Sequence, residues 1–170
     1  MGIPDQPFVP VDFDVPHELR GDGFRLEPLG PDHNEADHAA WTSSISHIRA
    51  TPGFEASSWP DQVMTLEENR ADLVRHANDF ADRIGFAYSV LDEAGTVIGC
   101  VYIYPSRDPE HDANVRSWVR AADADRDIAL YDAVRDWLAD VWPFRNPAHA
   151  PRAERAAPGE RSDDPVRQDG

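Results

Sequence analysis

The sequence predicts an α+β fold with a mostly antiparallel sheet, in the order strand, helix, helix, three strands, helix, with the helices on the sheet's faces. Three observations carry this. Two segments place apolar residues at helical intervals behind capping-box pairs. Three alternating apolar runs follow, the first two joined by a tight Asp–Gly turn. A last amphipathic stretch then ends at a proline.

Residues 1–21 read as an extended arm, because Pro4, Pro7, Pro10 and Pro16 interrupt Phe8, Val9, Val11, Phe13 and Val15. Proline lacks the N–H that a central strand needs, so the arm should lie against a surface. The folded domain is expected over residues 22–144. "FRLEPL" (24–29) alternates as a first strand and stops at "GPDHNE". Asp32 and Glu35 have capping-box spacing before a helix over 33–50, and Thr65 and Glu68 repeat it before a second helix. The expected buried face of that helix is Leu66, Leu73, Val74, Ala77, Phe80, Ala81 and Ile84.

"FAYSVLDEAGTVIGCVYIYPS" reads as two strands turning at Asp92–Gly95, and "NVRSWVRAA" (114–122) as a third. Residues 127–142 form a helix that buries Ile128, Leu130, Tyr131, Val134, Trp137, Leu138 and Val141 and ends at Pro143. Residues 145–170 have almost no large apolar side chain and read as disordered tail.

The chain has 170 residues, enough for one domain with a core. Its net charge is -16, from 32 acidic residues against 16 basic ones, and every basic residue is Arg. Lysine Schiff-base and lysine general-base chemistry are excluded. Residues 145–170 hold five Arg and five acidic residues, which leaves 27 acidic residues against 11 Arg in residues 1–144. That field repels nucleic acid and anionic membranes and favours a cationic or amine partner; an acidic composition accounts for it equally well. Cys100 is the only cysteine, so no internal disulfide and no multi-cysteine zinc site is possible. The start lacks the basic and apolar regions of a signal peptide, and "VIGCVYIY" is too short to span a bilayer. A cytoplasmic location is expected.

Several clusters carry polar chemistry. His33, Asp37 and His38, near Asp32 and Glu35, are expected to be a solvated helix start rather than a metal site, since His38 points about 100° away from Asp37. "DPEHD" (108–112) lacks the glycine and spacing of a calcium loop and reads as surface. Cys100, Tyr102 and Tyr104 share one face of a strand, opposite Val101 and Ile103. Packing explains that line, and Tyr102 and Tyr104 are also the candidate proton donors. Trp41 and Trp59 are candidate walls of an amine pocket and equally candidate core. Asp123, Asp125 and Asp127 lie between strand and helix, where they read as caps that favour the helix dipole.

The order and lengths of these elements resemble the first two-thirds of the GCN5-related N-acetyltransferase (GNAT) fold. "FRLEPLGPDH" resembles its opening strand, "VIGCVYIYPS" its central strand, and "VRSWVRAADADRDIALYDAVRDWL" its acetyl-coenzyme A-binding strand, turn and helix. The resemblance covers about residues 22–144. It implies an N-acyltransferase that moves an acetyl group from acetyl-CoA to an amine, with the cofactor along Trp118, Val119, Arg120 and Ala121 and its pyrophosphate at Asp125, Arg126 and Asp127. Ala122, Asp125 and Asp127 depart from the family's Gln/Arg-x-x-Gly-x-Gly/Ala pattern. Two of them put a carboxylate where a phosphate would sit, at a cost on the order of a few kcal/mol each before screening. The family's C-terminal strand, helix and strand pair are missing or degenerate. The alternative implied is a binding or assembly module that has lost the cofactor, with a homodimer completing the sheet.

Overall fold

The computed structural model describes residues 7–60 and 64–152, so residues 1–6 of the arm and 153–170 of the tail lie outside the described residues. The elements are β1 (Leu19–Gly21), β2 (Phe24–Pro28), α1 (Asn34–Thr42), α2 (Ile45–Arg49), α3 (Leu66–Ala81), β3 (Phe86–Asp92), β4 (Val97–Tyr104), β5 (Ala113–Val119), α4 (Asp127–Asp140) and β6 (Pro147–His149). Short 3-10 turns precede α1 and α4, at Pro31–His33 and Ala121–Arg126. The six strands lie in sequence order in one sheet, antiparallel except for the parallel pair β5–β6. This is the mixed, mostly antiparallel α+β sheet that the sequence pattern implies.

The sheet is covered on both faces. On one face, α4 presents Leu130, Val134, Trp137 and Leu138 to Leu26, Phe86, Tyr88, Val101 and Ile103, and Val9 and Val15 of the arm join them. On the other, α1 to α3 and the loop after α2 bury Trp41, Ile48, Phe54 and Leu73 against Ala87, Cys100 and Trp118. The arm is tied down by Arg83, which donates to the carbonyls of Pro10 and Phe13, and by the Tyr88 hydroxyl, which donates to that of Pro16. Among the described residues, no helix is long and apolar enough to cross a membrane.

Local chemistry explains most boundaries. The Thr65–Glu68 capping box forms, with the Glu68 N–H donating to Thr65 Oγ1 and the Thr65 N–H to Glu68 Oε1. In the β3–β4 turn, Asp92 Oδ1 accepts from the N–H groups of Ala94 and Thr96, and Gly95 takes a φ of 85° that other residues resist. Leu91 pairs with Val97 and Val90 with Gly99, so Ile98 is the extra residue of a β-bulge.

Seven expectations need correction. The segment 33–50 is two helices, broken at Ser43–Ser44, and Asp32–Glu35 makes no capping box because Pro31–His33 forms a 3-10 turn instead. α3 turns Leu66 and Val74 toward solvent and ends at Ala81, before the exposed Ile84, and its buried face is Asn69, Leu73 and His76. The third strand stops at Val119 and hands over to a 3-10 turn rather than continuing to 122. α4 ends at Asp140, and Val141 is exposed. Finally, Leu19–Gly21 at the end of the arm pairs with β2, and Pro147–His149 of the supposed tail pairs with β5 through its backbone, without needing large apolar side chains.

Candidate functional site

The strand register builds a polar floor. β4 and β5 pair Cys100 with Trp118, Tyr102 with Arg116 and Tyr104 with Asn114, and the period of two turns all six toward α3. Above them α3 carries Asp72, Arg75, His76 and Asp79, at the i, i+3, i+4 and i+7 positions of one helix face. The loop after α2 closes the side with Phe54, Ser57, Trp59 and Met64. The cavity between them measures about 350 Å³, within the usual range of small-molecule sites.

A hydrogen-bonded chain runs along its wall. The Tyr104 hydroxyl donates to Asp79 Oδ2 at 2.9 Å, and His76 Nδ1 lies 2.8 Å from the same hydroxyl oxygen. One hydroxyl has one proton, so His76 Nδ1 is the donor to Tyr104, and its Nε2 is left for other partners. That Nε2 faces Asp72 Oδ2 at 3.6 Å and Arg75 Nη2 at 3.4 Å. Burial works to raise the Asp72 carboxyl; the contacts with His76 and Arg75 outweigh it and hold it below the usual carboxylate range. Burial pushes both Tyr102 and Tyr104 up, and Asp79 adds to the shift at Tyr104, so both phenols keep their protons across neutral pH. Trp118 Nε1 donates to the Tyr102 oxygen at 3.1 Å, which turns the phenol's own proton away from Trp118.

The structure therefore brings Tyr102, Tyr104 and Trp59 to one cavity. Trp41 stays behind it, fully buried, with its ring 5.6 Å from that of Trp59. Asp37 is buried rather than solvated: with Asn34 it accepts from Asn69 Nδ2, while Asn69 Oδ1 accepts from Trp41 Nε1. Burial raises Asp37 to about 6. His33 instead meets Glu27 at 2.7 Å, and His38 meets the Met64 carbonyl at 3.0 Å. Among the described residues, no group of three or more His, Cys, Asp or Glu is arranged to hold a metal ion. In "DPEHD", His111 pairs with Asp108 at 2.9 Å, and Asp112 accepts from the N–H groups of Arg145 and Asn146.

The turn before α4 is arranged differently from its expected role. None of its three Asp makes a side-chain cap: Asp123 accepts from Arg120 Nε at 2.7 Å, Asp125 is exposed, and Asp127 pairs with Arg152. Arg126 donates to the Gly23 carbonyl, the Ala121 N–H to Ser44 Oγ and the Asp123 N–H to the Arg120 carbonyl. Trp118 and Val119 are buried. Pairing of β5 with β6 ends at Val115–His149, and Arg152 then takes the Ser117 carbonyl at 2.9 Å. The turn's arginines are thus engaged within the protein, and carboxylates stand at its helical end.

His76, Asp72, Asp79 and Arg116 were absent from the candidates drawn from sequence. The readable signal for the first three was polar residues spaced four and three apart within a helix otherwise read by its apolar positions.

No protein-family model matches the chain, and no curated protein does. Solved structures do. The ribosomal-protein-S5-alanine acetyltransferase from Vibrio fischeri is 15% identical with a TM-score of 0.55, over 74% of this chain and 67% of that one. The fold is GNAT-like. The ribosomal L7/L12 α-N-protein acetyltransferase RimL, solved in complex with coenzyme A, is 14% identical with a TM-score of 0.58, over 72% of this chain and 67% of that one. The microcin C7 self-immunity acetyltransferase, solved with acetyl-CoA and AMP, is 12% identical with a TM-score of 0.55, over 70% and 62%. The chain thus spans about two thirds of the length of these GNAT structures.

Proposed function

We propose that this GNAT-like chain is an N-acyltransferase whose amine acceptor enters the cavity between α3 and β4–β5. The observation that carries this reading is the His76–Tyr104–Asp79 chain, which commits Nδ1 to Tyr104 and leaves Nε2 as the free ring position at the wall of a small-molecule-sized cavity. His76 Nε2 takes the proton that an ammonium must lose before it can attack, and Asp72 faces the imidazolium that results. Tyr104 and Asp79 fix the ring and its tautomer. Tyr102, protonated and anchored by Trp118, is placed to return a proton to a leaving group. Acetyl-CoA, the donor that the fold implies, would supply an acyl thioester to this face.

A second reading is favoured by one specific contact. Arg152 occupies the Ser117 carbonyl, one residue before the stretch along which the resemblance puts the cofactor, and pairs with Asp127, one of the implied pyrophosphate positions. A chain that keeps this contact is a binding or assembly module without acyl transfer.

One experiment separates the two. The melting temperature is measured with and without millimolar acetyl-CoA, and an amine panel is assayed for release of free coenzyme A. A ligand that binds the folded state must raise its melting temperature. The transferase reading expects a rise, together with turnover that falls by about 10²-fold or more in His76→Gln. No rise and no turnover leaves the second reading.

A further inference from the structure

The cavity's charges are not evenly satisfied. Arg75 is committed to Asp72 at 2.6 Å and to Asp79 at 3.4 Å, and Asp79 also accepts from Tyr104. Arg116, on the floor beside Tyr102, has neither an ion pair nor a hydrogen bond among the described residues. It is the only half-buried arginine among the described residues of which this is true: Arg25, Arg83, Arg120, Arg126 and Arg152 all have partners. In a chain of net charge -16, a half-buried arginine left without a carboxylate can take one from a ligand.

Arg116 is also held in place. Its stem passes Gly53, where an added Cβ would lie 3.4 Å from Arg116 Cγ, and Gly53 itself takes a φ of 100°. Its guanidinium lies 4.7 Å from the centroid of the Phe54 ring and 5.8 Å from that of Tyr102. Stacking uses the face of a guanidinium and leaves its N–H edge free, which is the edge a carboxylate meets with two parallel hydrogen bonds. The protein's overall negative field does not prevent this, because it is screened beyond about 8 Å at physiological salt.

We infer that the α3–β4–β5 cavity binds a small molecule bearing a carboxylate, which Arg116 receives, with its apolar part against Phe54, Trp59 and Met64. Resting on the transferase reading, this makes the acceptor an amino acid-like compound, with its carboxylate at Arg116 and its amine toward His76. A phosphate is disfavoured, since its second charge would face Asp72 in the same cavity.

The test is binding to the full chain without any acyl donor, by calorimetry, using phenylalanine, 3-phenylpropionate and phenethylamine as probes. Phenylalanine and 3-phenylpropionate are expected to bind at least about tenfold more tightly than phenethylamine, and Arg116→Gln to remove that preference. Phenethylamine binding as tightly as 3-phenylpropionate overturns the inference, as does failure of all three probes to bind at millimolar concentration. An unchanged preference in Arg116→Gln overturns it too. The comparison of probes on the parent protein needs no variant to fold. Because no acyl donor is present, carboxylate binding can succeed in a protein that transfers nothing, and fail in one that does.

Discussion

Arg152 and Asp127 form a two-point ion pair between the segment after β6 and the start of α4. Arg152 Nε and Nη2 meet the two carboxylate oxygens at 2.5 and 3.2 Å, and Nη2 also donates to the carbonyl and hydroxyl of Ser117. The Arg152 side chain is only 5% exposed and lies over the Tyr131 ring. One residue thus ties the segment after β6 to both β5 and the start of α4.

Replacing Arg152 with Ala leaves Asp127 without its cation and frees the Ser117 carbonyl. The loss expected is about 2–3 kcal/mol, read by urea unfolding. Arg152→Lys should recover less than half of it, because an ammonium cannot meet the carboxylate and the carbonyl with one rigid fork. If Arg152 blocks a donor site, the alanine variant gains a melting shift with acetyl-CoA that the parent lacks or shows more weakly.

Acid should act on two buried groups with opposite sign. Burial, with Arg152 and Arg135 adding and Asp127 opposing, lowers His149 to about 4 from 6.5, and neither of its ring nitrogens has a hydrogen-bond partner. Between those values the unfolded chain binds a proton that the folded chain does not, so stability falls as pH drops from 6.5 toward 4. Asp37 is raised from 3.8 to about 6 by burial, with Asp72 adding and Asn69, His33 and His76 opposing. There the folded chain holds the extra proton, so stability rises as pH drops from 6 toward 3.8. Relative to the parent, Asp37→Asn should lose stability over that range and His149→Gln should gain it, in urea midpoints taken at half-unit pH steps.

The elements that could be read from sequence were those whose signal is local. The Thr65–Glu68 box, the Asp92–Gly95 turn and the alternation of β3 to β5 each depend on residues a few positions apart. β6 left no such trace, since Pro147–His149 is held by parallel backbone pairing and needs no apolar side chain. The site was half legible. Tyr102 and Tyr104 stand out by alternation, whereas His76 lies on the face that α3 buries, a role that hydropathy assigns to Leu66 and Val74, both of them exposed. The charge at Asp127 looked repulsive only because Arg152, 25 residues away, gave no sign of being its partner.

Asn69 joins α3 to α1 and is almost fully buried. It accepts from Trp41 Nε1 and donates to Asn34 and Asp37. Asn69→Ala strands three buried polar groups and should cost about 2–4 kcal/mol. The cost should be larger at pH 7 than at pH 5, since Asp37 is charged only above about 6 and a charged acceptor loses more with its donor. An equal cost at the two pH values would show that water replaces the amide.

Gly99 sets the spacing of the two strands that form the cavity floor. It pairs with Val119, one step from the Cys100–Trp118 pair, and an added Cβ would stand 2.2 Å from the Trp118 carbonyl oxygen. That oxygen is backbone and cannot rotate away, so Gly99→Ala must push β4 and β5 apart where the bulge at Ile98 already bends the sheet. The expected loss is about 1–3 kcal/mol in urea unfolding. Gly30→Ala is the control: nothing lies within 4 Å of its added Cβ, and it should stay within about 0.5 kcal/mol of the parent. Because Tyr102 and Arg116 face each other three pairs further along, Gly99→Ala should also weaken 3-phenylpropionate binding, although Gly99 does not line the cavity. Unchanged affinity in a destabilised Gly99→Ala protein would show that the floor keeps its shape when the strands around it shift.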